Sequence, residues 1–322
     1  MSPRRLFPVV LLWISGVGPG PGAPVTAAVS EPVIHGGMAN ASAAVAVGNH
    51  WFATAGGDDN RIRVYPVDRG GPSVATFSLD GAFPGLRHAG QYDLEGCARI
   101  DDIVYWIGSH GRNKEGRERP ERQRFLATRI VETNGCVTIE SVGTSCTVLL
   151  ATLVADSRYQ ALGFAEASGR APESDGINIE GIAATPDGRI LVGFRSPRPG
   201  GRAILAPLLN PREAIDGKEP RFGDPIRLDL GGRGIRDITR SGHGYFILAG
   251  SGTSGGNTSL FRWDGPGIEA EPVAAPGLKH MNPEGIAVFG KPGKPRLLVV
   301  SDDGHHAKPG EPPSFRSLWV KP

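Results

Sequence analysis

The chain has 322 residues, including 47 glycines and 28 prolines, and its formal net charge is only +2. Hydrophobic residues make up 39% and charged residues 21%, which is typical of a folded soluble protein and excludes a disordered low-complexity chain. With no large field of one sign, we expect no nucleic-acid partner. Glycine and proline recur every few residues, which predicts short strands in place of long helices.

The first 27 residues are predicted to be a signal peptide. Two arginines precede a mostly apolar stretch at 6–17, and Val25-Thr26-Ala27 has the small residues of a cleavage site. We therefore expect cleavage near Ala27 and a secreted or periplasmic protein. No later apolar run approaches the ~18 residues of a membrane-spanning helix, so the mature chain is expected to have no membrane span. Residues 28–322 are expected to form a single, monomeric domain.

One sequence pattern recurs along the chain: Asp or Asn, any residue, Glu, Gly, an apolar residue and Ala. Clear copies lie at 93–98, 178–183 and 282–287. A degenerate copy at 234–239 places Arg236 at the glutamate position, and a weaker copy begins near Ala43. Each copy is followed by an apolar run and then by further β-like segments, so we expect four short strands in each unit.

Meandering four-stranded units at this spacing are typical of a β-propeller. We infer an all-β fold of five blades, in which an N-terminal strand at 31–35 completes the last blade and closes the ring. The interval from Glu95 to Glu180 is 85 residues, the longest between ring positions. It therefore holds an insertion, with a short surface helix predicted at 147–164. If that stretch is itself a degenerate blade, the propeller has six blades.

The innermost strands of a propeller line its central channel, which would bring Glu95, Glu180, Arg236 and Glu284 to one mouth. The start of a strand and the end of its antiparallel neighbour lie at one edge of a sheet, so the ends of the second strands should surround this ring. Those ends carry polar side chains: Asp58, Asp59, Asn60, Ser109, His110, Arg112, Ser196, Arg198, Ser251, Thr253, Ser301, Asp302 and Asp303.

Three converging glutamates and one arginine give the ring a formal charge of −2. Carboxylates held close together resist joint ionisation, so either one pKa rises or a counter-charge enters. Oxygen-rich surroundings without thiols suit Ca²⁺ or Mg²⁺, and we expect Ca²⁺ bound by Glu95, Glu180 and Glu284. In the alternative interpretation, each glutamate joins neighbouring blades by accepting backbone N–H bonds, with no ion.

His110 follows Ser109 directly, and adjacent side chains of a strand point to opposite faces, so the two cannot act as a nucleophile and its base. His110 is a candidate general base or metal ligand. If the cation-rich stretch 112–129 folds over the mouth, Arg112 is a candidate clamp for a phosphate or carboxylate, as is Arg236. These residues predict a hydrolase of phosphate or carboxylic esters, or else a propeller that binds a ligand or protein without catalysis.

The chain has three cysteines. Cys136 and Cys146 flank a segment predicted to be a strand and a turn, so we expect a local disulfide between them in an oxidising compartment. Cys97 stands where two other copies of the repeat have Ile182 and Ile286, and it is therefore expected to be a small buried apolar residue.

The segment Tyr-Trp-Ile-Gly-Ser-His-Gly-Arg-Asn-Lys at 105–114, together with 93–96, 178–181 and 234–238, resembles the bacterial domain of unknown function DUF3616. The resemblance spans residues 40–304 and implies no established reaction. More distantly, the Glu-Gly repeats are similar to secreted phytase-like and gluconolactonase-like propellers, which implies channel carboxylates that bind a divalent metal. Arg236 departs from that pattern because it replaces one ring glutamate.

Overall fold

The computed structural model describes residues 26–83, 90–251, 257–265, 267–291, 293–304 and 310–322. The predicted signal peptide lies outside these residues except for its last two, and Thr253 lies outside them as well. Five antiparallel sheets form from the described residues, one for each predicted blade. None of the helices in these ranges has the length and apolar character needed to cross a membrane.

Each blade is a meander of short strands in chain order. An N-terminal pair comprises β1 (Ala28–Val29) and β2 (Val33–Gly36). The first blade has β3 (Ala43–Val47), β4 (Trp51–Ala55), β5 (Arg61–Pro66) and β6 (Ala75–Ser78), and the second has β7 (Leu94–Ile100), β8 (Ile103–Gly108), β9 (Phe125–Thr133) and β10 (Cys136–Cys146). The third has β11 (Asn178–Ala184), β12 (Ile190–Ser196), β13 (Ala203–Leu208) and β14 (Ile226–Leu228). The fourth has β15 (Gly234–Ser241), β16 (Gly244–Gly250), β17 (Ser259–Trp263) and β18 (Glu271–Val273), and the fifth has β19 (Pro283–Lys291), β20 (Lys294–Ser301) and β21 (Ser314–Lys321).

Helices occur only as short connecting segments in the described part of the chain. The α-helices are α1 (Leu149–Ala155), α2 (Ser157–Gln160), α3 (Phe164–Ala167) and α4 (Pro211–Ile215). Single turns of 3-10 helix lie at Pro120–Arg122, Pro172–Ser174, Pro199–Gly201 and Pro276–His280.

The N-terminal strands complete the fifth blade, as the sequence predicts. Strand β21 pairs with β20 on one side, and on the other side it pairs with both β1 and β2. Ala28 lies opposite Lys321, and Val33 lies opposite Ser317. The two ends of the described chain are therefore joined by backbone hydrogen bonds, which close the ring without a covalent link.

The glycine of each Glu-Gly pair lies where two innermost strands touch. A Cβ atom added to Gly96 would lie 2.9 Å from the Cα of Gly181, and one added to Gly181 would lie 2.7 Å from the Cα of Asp237. On Gly285 it would lie 3.1 Å from the carbonyl carbon of Ala43. Carbon atoms pack best at about 3.5–4.0 Å. The repeated glycine therefore permits the close approach of the strands around the axis.

The insertion between the second and third blades forms α1, α2 and α3 and does not form a sixth blade. Leu149, Leu153 and Phe164 from these helices are fully buried. The Phe164 ring lies 5.0 Å from the ring of Phe194 on β12, in an edge-to-face contact. The predicted helical segment thus covers the third blade, and the propeller has five blades.

The predicted disulfide between Cys136 and Cys146 is wrong. The two residues lie at opposite ends of β10, an 11-residue strand, and all three cysteines are free thiols. At ~3.3 Å per residue this strand spans roughly 30 Å, whereas a disulfide joins Cα atoms within about 7 Å. The segment predicted to turn instead continues as one strand. Cys97 is buried, as expected.

Candidate functional site

A cavity of about 350 Å³ opens at the mouth of the channel, where the innermost strands begin. Four of the five blades contribute to its walls, and so does the 3-10 turn Pro172–Ser174 of the insertion. Seven acidic side chains and two arginines face it: Asp58, Asp93, Glu95, Glu173, Glu180, Glu284 and Asp302, with Arg122 and Arg195. The lining therefore has a formal charge of −5 if every carboxyl is ionised.

The four ring residues each occupy a β-bulge. The pairing between β7 and β8 skips Glu95, and the same shift occurs at Glu180 in β11, Arg236 in β15 and Glu284 in β19. A bulge interrupts the regular alternation of side chains and redirects the extra residue. The sequence repeat therefore encodes a repeated backbone irregularity that presents one side chain from each of four blades to the channel.

Arg236 lies between two of the predicted metal ligands. Its Nη2 bonds to the Glu284 carboxylate, and its Nε lies 3.6 Å from Oε2 of Glu180. Its Nη1 donates to Oδ1 of Asn282 at 3.0 Å, and only 3% of the residue is exposed. Because all three guanidinium nitrogens already lie beside oxygen atoms of the protein, Arg236 is not free to clamp a substrate anion.

A second counter-charge comes from Arg195 at the end of β12, a residue that the sequence analysis missed. Its Nη1 lies 2.6 Å from Oε1 of Glu180, and its Nε donates to the Ser251 carbonyl oxygen at 3.2 Å. Glu180 also accepts a hydrogen bond of 2.7 Å from Asn178 Nδ2. A single arginine after the apolar run 190–194 is the sequence signal that could have identified it.

Glu95 has different surroundings from the other two ring glutamates. Within the described part of the chain, no side chain or backbone group donates a hydrogen bond to its carboxyl group. Burial, followed by the nearby charges of Asp93 and Glu180, raises the pKa of Glu95 well above its usual range, and Arg236 offsets this only in part. Glu95 therefore keeps its proton to a higher pH than an ordinary glutamate does.

His110 and Arg112 lie outside the cavity lining. His110 is buried beyond the end of β8, its Nδ1 lies 2.8 Å from the Gly108 carbonyl oxygen, and burial lowers the pKa of His110 to about 4. Arg112 donates through Nε to the Ser168 carbonyl oxygen at 2.8 Å and through Nη2 to Glu118 at 2.8 Å. Arg112 therefore holds the insertion through Ser168, whereas His110 bonds to its own chain near the end of β8. Neither residue lines the cavity, so their catalytic roles stay predictions.

One cation of the stretch 112–129 does reach the cavity. Arg122 Nη1 lies 3.0 Å from Oδ2 of Asp93, and the Ser109 hydroxyl donates to the same oxygen at 2.5 Å. These two contacts fix the position of the Asp93 side chain beside Glu95. The stretch thus positions Asp93 at the mouth. Arg122 forms an ion pair with Asp93.

The predicted Ca²⁺ ligands do not fit a metal site. Among the residues that the structure describes, no group of three or more His, Cys, Asp or Glu side chains is placed to hold a metal ion. Glu180 and Glu284 both face the guanidinium of Arg236, which occupies the place of a shared cation. Arginine therefore supplies the counter-charge at two of the three ring glutamates, Glu180 and Glu284.

The alternative in which ring glutamates accept backbone N–H bonds from neighbouring blades also needs correction. That role belongs to Asp237, which stands at the glycine position of the degenerate repeat. Its Oδ1 accepts from the N–H of Ile238 at 2.8 Å, and its Oδ2 accepts from the N–H of Ile286 in the next blade at 2.7 Å. Burial raises the pKa of Asp237 well above its usual range, although both backbone bonds act against this rise.

A five-bladed propeller with an acidic cavity at one mouth of its channel defines the class to which this protein belongs. The model of the family described as "Protein of unknown function (DUF3616)" matches residues 147–313. The chain is therefore a member of the DUF3616 family, in agreement with the resemblance seen in its sequence motifs. No functionally curated protein shows significant similarity to it.

Several solved structures are similar to this chain at low sequence identity. The major allergen Mala s 1 of Malassezia sympodialis is 11% identical over 91% of this chain and 97% of the allergen, with a TM-score of 0.55. A putative oxidoreductase (glucose dehydrogenase) of Thermus thermophilus is 18% identical over 91% and 99%, with a TM-score of 0.47. The PQQ-bound aldose sugar dehydrogenase of Streptomyces coelicolor is 13% identical over 93% and 99%, with a TM-score of 0.45. Similarity at this level concerns the fold and does not extend to function.

Proposed function

We propose that the cavity at the channel mouth binds a small polar molecule that is neutral or cationic. Its volume of about 350 Å³ lies in the range of small-ligand sites. An anion such as a phosphate ester would meet the excess of carboxylates, whereas hydroxyl and ammonium groups donate hydrogen bonds to carboxylates. The charge of the lining therefore argues against the anionic substrates expected from the sequence.

The charges at one side of the cavity support the same proposal. Burial, and then the charge of Asp302, raise the pKa of Asp58. The Asp302 carboxylate has a nearby amide donor, Asn282 Nδ2, at 3.5 Å. Two acidic side chains that repel each other here gain stability from a ligand that donates hydrogen bonds or carries positive charge.

The observation that carries the proposal is the Glu95 carboxyl group, which the described residues leave without a hydrogen-bond donor inside the cavity. A protonated carboxyl donates a hydrogen bond to a ligand oxygen, and an ionised one accepts from a ligand hydroxyl or ammonium group. The carboxyl group of Glu95 is therefore available to hydrogen-bond a ligand, whereas Glu180 and Glu284 bond to arginine.

Catalysis is the second candidate function, and the raised pKa of Glu95 favours it. A protonated carboxyl next to ionised carboxylates is the arrangement of a general acid beside a base or stabilising charge. In hydrolysis of a neutral ester, lactone or glycosidic bond, Glu95 would give its proton to the leaving oxygen. The hydroxyl of water would bond to the carbon, and the second proton of water would pass to an ionised carboxylate.

Thermal unfolding in the presence of sugars, polyols and primary amines tests binding, because a ligand of the native state raises the midpoint by mass action. We expect stabilisation by one of these classes and none by aryl phosphates. The increase should be lost in Glu95→Gln and kept in Glu271→Gln, which changes an exposed carboxyl of β18. Stabilisation by phosphates alone, or an equal response of the two variants, would contradict the proposal.

Turnover separates an enzyme from a binding protein. Neutral aryl esters, lactones and aryl glycosides are assayed beside aryl phosphates with the wild type, Glu95→Gln and Glu271→Gln. An enzyme of the proposed kind turns over a neutral substrate, loses that activity in Glu95→Gln and is unaffected by EDTA. Ligand stabilisation without turnover assigns the cavity to binding alone.

An extracellular or periplasmic location is also part of the proposal, and the pattern at 1–27 supports it. Expression of the full chain followed by fractionation and N-terminal sequencing tests this. The expected product lies outside the cytoplasm and begins near Ala28. A cytoplasmic product with an intact N-terminus would contradict export.

A further inference from the structure

We infer that Arg236 is a built-in counter-ion for the ring, so that the native ring is insensitive to divalent cations and removal of this arginine creates a site for Ca²⁺. This inference concerns the ring glutamates in the wall of the cavity, and it does not depend on which ligand the cavity binds. It accounts for the difference between the three clear repeats, with glutamate at the bulge, and the degenerate repeat, with arginine there.

The geometry places Arg236 where a shared cation would be needed. Its guanidinium contacts Glu284 and lies 3.6 Å from Glu180, so a positive charge stands between two carboxylates from the blades on either side. The residue is 3% exposed, so water supplies little screening of these charges. A cation between two carboxylates stabilises both as anions, which is the effect that a divalent ion would have.

The repeat also places a second oxygen-bearing side chain beside each of these two glutamates. Asn178 Nδ2 bonds to Glu180 at 2.7 Å, and Asn282 Nδ2 bonds to Glu284 at 3.3 Å. The Ser42 hydroxyl donates to the other Glu284 oxygen at 3.2 Å. Carboxylate, amide and hydroxyl oxygens are the ligand types that Ca²⁺ uses. Once the guanidinium is removed, these side chains can turn their oxygens toward a metal.

The degenerate repeat differs at the equivalent position two residues before the bulge. Gly234 stands there, and a Cβ atom on it would lie 1.9 Å from the Arg195 carbonyl oxygen. No side chain fits at that place, so this repeat offers neither the carboxylate nor the second oxygen. The fourth blade therefore supplies the charge that balances its neighbours and not a further metal ligand.

Removal of the guanidinium leaves the mostly buried carboxylates of Glu180 and Glu284 with less positive charge near them. This loss strongly destabilises the native state. Arg236→Gln should therefore unfold at a lower temperature than the wild type in EDTA. Millimolar Ca²⁺ should restore a large part of the lost midpoint because the ion binds the native state. Arg236→Lys keeps a positive charge and should remain insensitive to Ca²⁺.

The test is thermal unfolding of four proteins in EDTA and in millimolar CaCl₂ or MgCl₂: the wild type, Arg236→Gln, Arg236→Lys and Arg240→Gln. Arg240 is exposed on the same strand, so its variant is the matched control. We expect no Ca²⁺ shift except in Arg236→Gln, where the midpoint rises by several degrees. Isothermal titration of the wild type with CaCl₂ should give no binding isotherm.

Two results would overturn the inference. One is a Ca²⁺-induced shift in the wild type that Glu284→Gln abolishes, because the native ring would then bind the metal. The other is an Arg236→Gln protein that gains nothing from Ca²⁺, including one that stays unfolded with and without the ion while Arg236→Lys folds. Ligand binding at Glu95 is measured separately, with sugars, polyols and amines and with Arg236 in place.

Discussion

Arg236 in the fourth blade bonds to the carboxylate of Glu284 in the fifth blade, across the axis-facing edge where the two innermost strands meet. The same guanidinium lies 3.6 Å from Glu180 in the third blade. One side chain therefore links three consecutive blades, and together with Arg195 it supplies the counter-charge for two of the three ring glutamates. The third glutamate, Glu95, is left as the carboxyl that faces the cavity with capacity for a ligand.

Replacing Glu95 should stabilise the protein at alkaline pH. Its pKa in the native state lies above the value in the unfolded chain, so the protonated form contributes stability at low pH that is lost as the pH rises through the native pKa. Glu95→Gln mimics the protonated carboxyl and removes this loss. We expect a midpoint a few degrees above the wild type at pH 8 and nearly equal to it at pH 4, with Glu271→Gln unchanged at both.

Asp237 should be important for the contact between the fourth and fifth blades. Asp237→Ala removes the acceptor for two buried N–H groups, those of Ile238 and Ile286, and an unsatisfied buried donor costs about 1–3 kcal/mol. Chemical denaturation should therefore show a loss of about 2–6 kcal/mol in the free energy of unfolding. Asp264→Ala, at an exposed position, should change it little. Equal stability of the two variants would remove Asp237 from this role.

The repeated glycines should not tolerate a methyl group. In Gly181→Ala the new Cβ would lie 2.7 Å from the Cα of Asp237, and overpacking of this kind typically costs about 1–3 kcal/mol. At Gly36 a Cβ meets no atom within 4 Å, so Gly36→Ala is the control. Denaturant titration of the two variants compares them directly. A loss at Gly36 as large as that at Gly181 would show that the strands do not depend on the close approach.

Acid should weaken the closure of the ring through His35. This residue is 1% exposed on β2, lies among the rings of Phe52, Tyr65 and Phe315, and its Nε2 lies 2.8 Å from the Ser317 hydroxyl on β21. Burial lowers the pKa of His35 to about 4 from a usual 6.5. The neutral form therefore contributes stability above pH 6.5 that is lost as the pH falls toward 4.

This difference between the native and the usual pKa of His35 should lower the free energy of unfolding by roughly 3 kcal/mol between pH 7 and pH 4. The free energy of unfolding, measured by denaturant titration across that range, should fall less steeply in His35→Leu than in the wild type. His243→Leu, at an exposed position, should keep the wild-type slope. Parallel curves for the wild type and His35→Leu would mean that His35 is not the acid-sensitive group.

The order of strands could be predicted from the sequence because the repeat reports directly on packing at the axis. Gly96 and Gly181 must lack a side chain because neighbouring strands touch there. The same glycine requirement in several blades produces the repeat that is visible in the sequence. The N-terminal strand, predicted at 31–35 and found at Val33–Gly36, could also be predicted, because a closed ring needs a strand to complete its last blade.

The partners within the site could not be predicted in the same way. The position of His110 depends on the end of β8 at Gly108, after which His110 adopts a φ of 55° and the alternation rule for strands no longer applies. Arg195 neutralises Glu180 across two strands of one blade, a contact with no fixed spacing in the sequence. Glu173 reaches the cavity from the insertion, whose path over the mouth follows from packing and from no repeated motif.

The protonation of Glu95 tests the account most directly. Carbon-detected NMR of ¹³C-labelled protein, with the Glu95→Gln variant to assign the resonance, measures the pKa of this carboxyl group in the native state. We predict a pKa of Glu95 well above the usual range of a glutamate, and a further change when a polyol or amine binds the cavity. A pKa of Glu95 in the usual range that no polyol or amine changes would contradict the assignment of Glu95 as the ligand-facing proton donor.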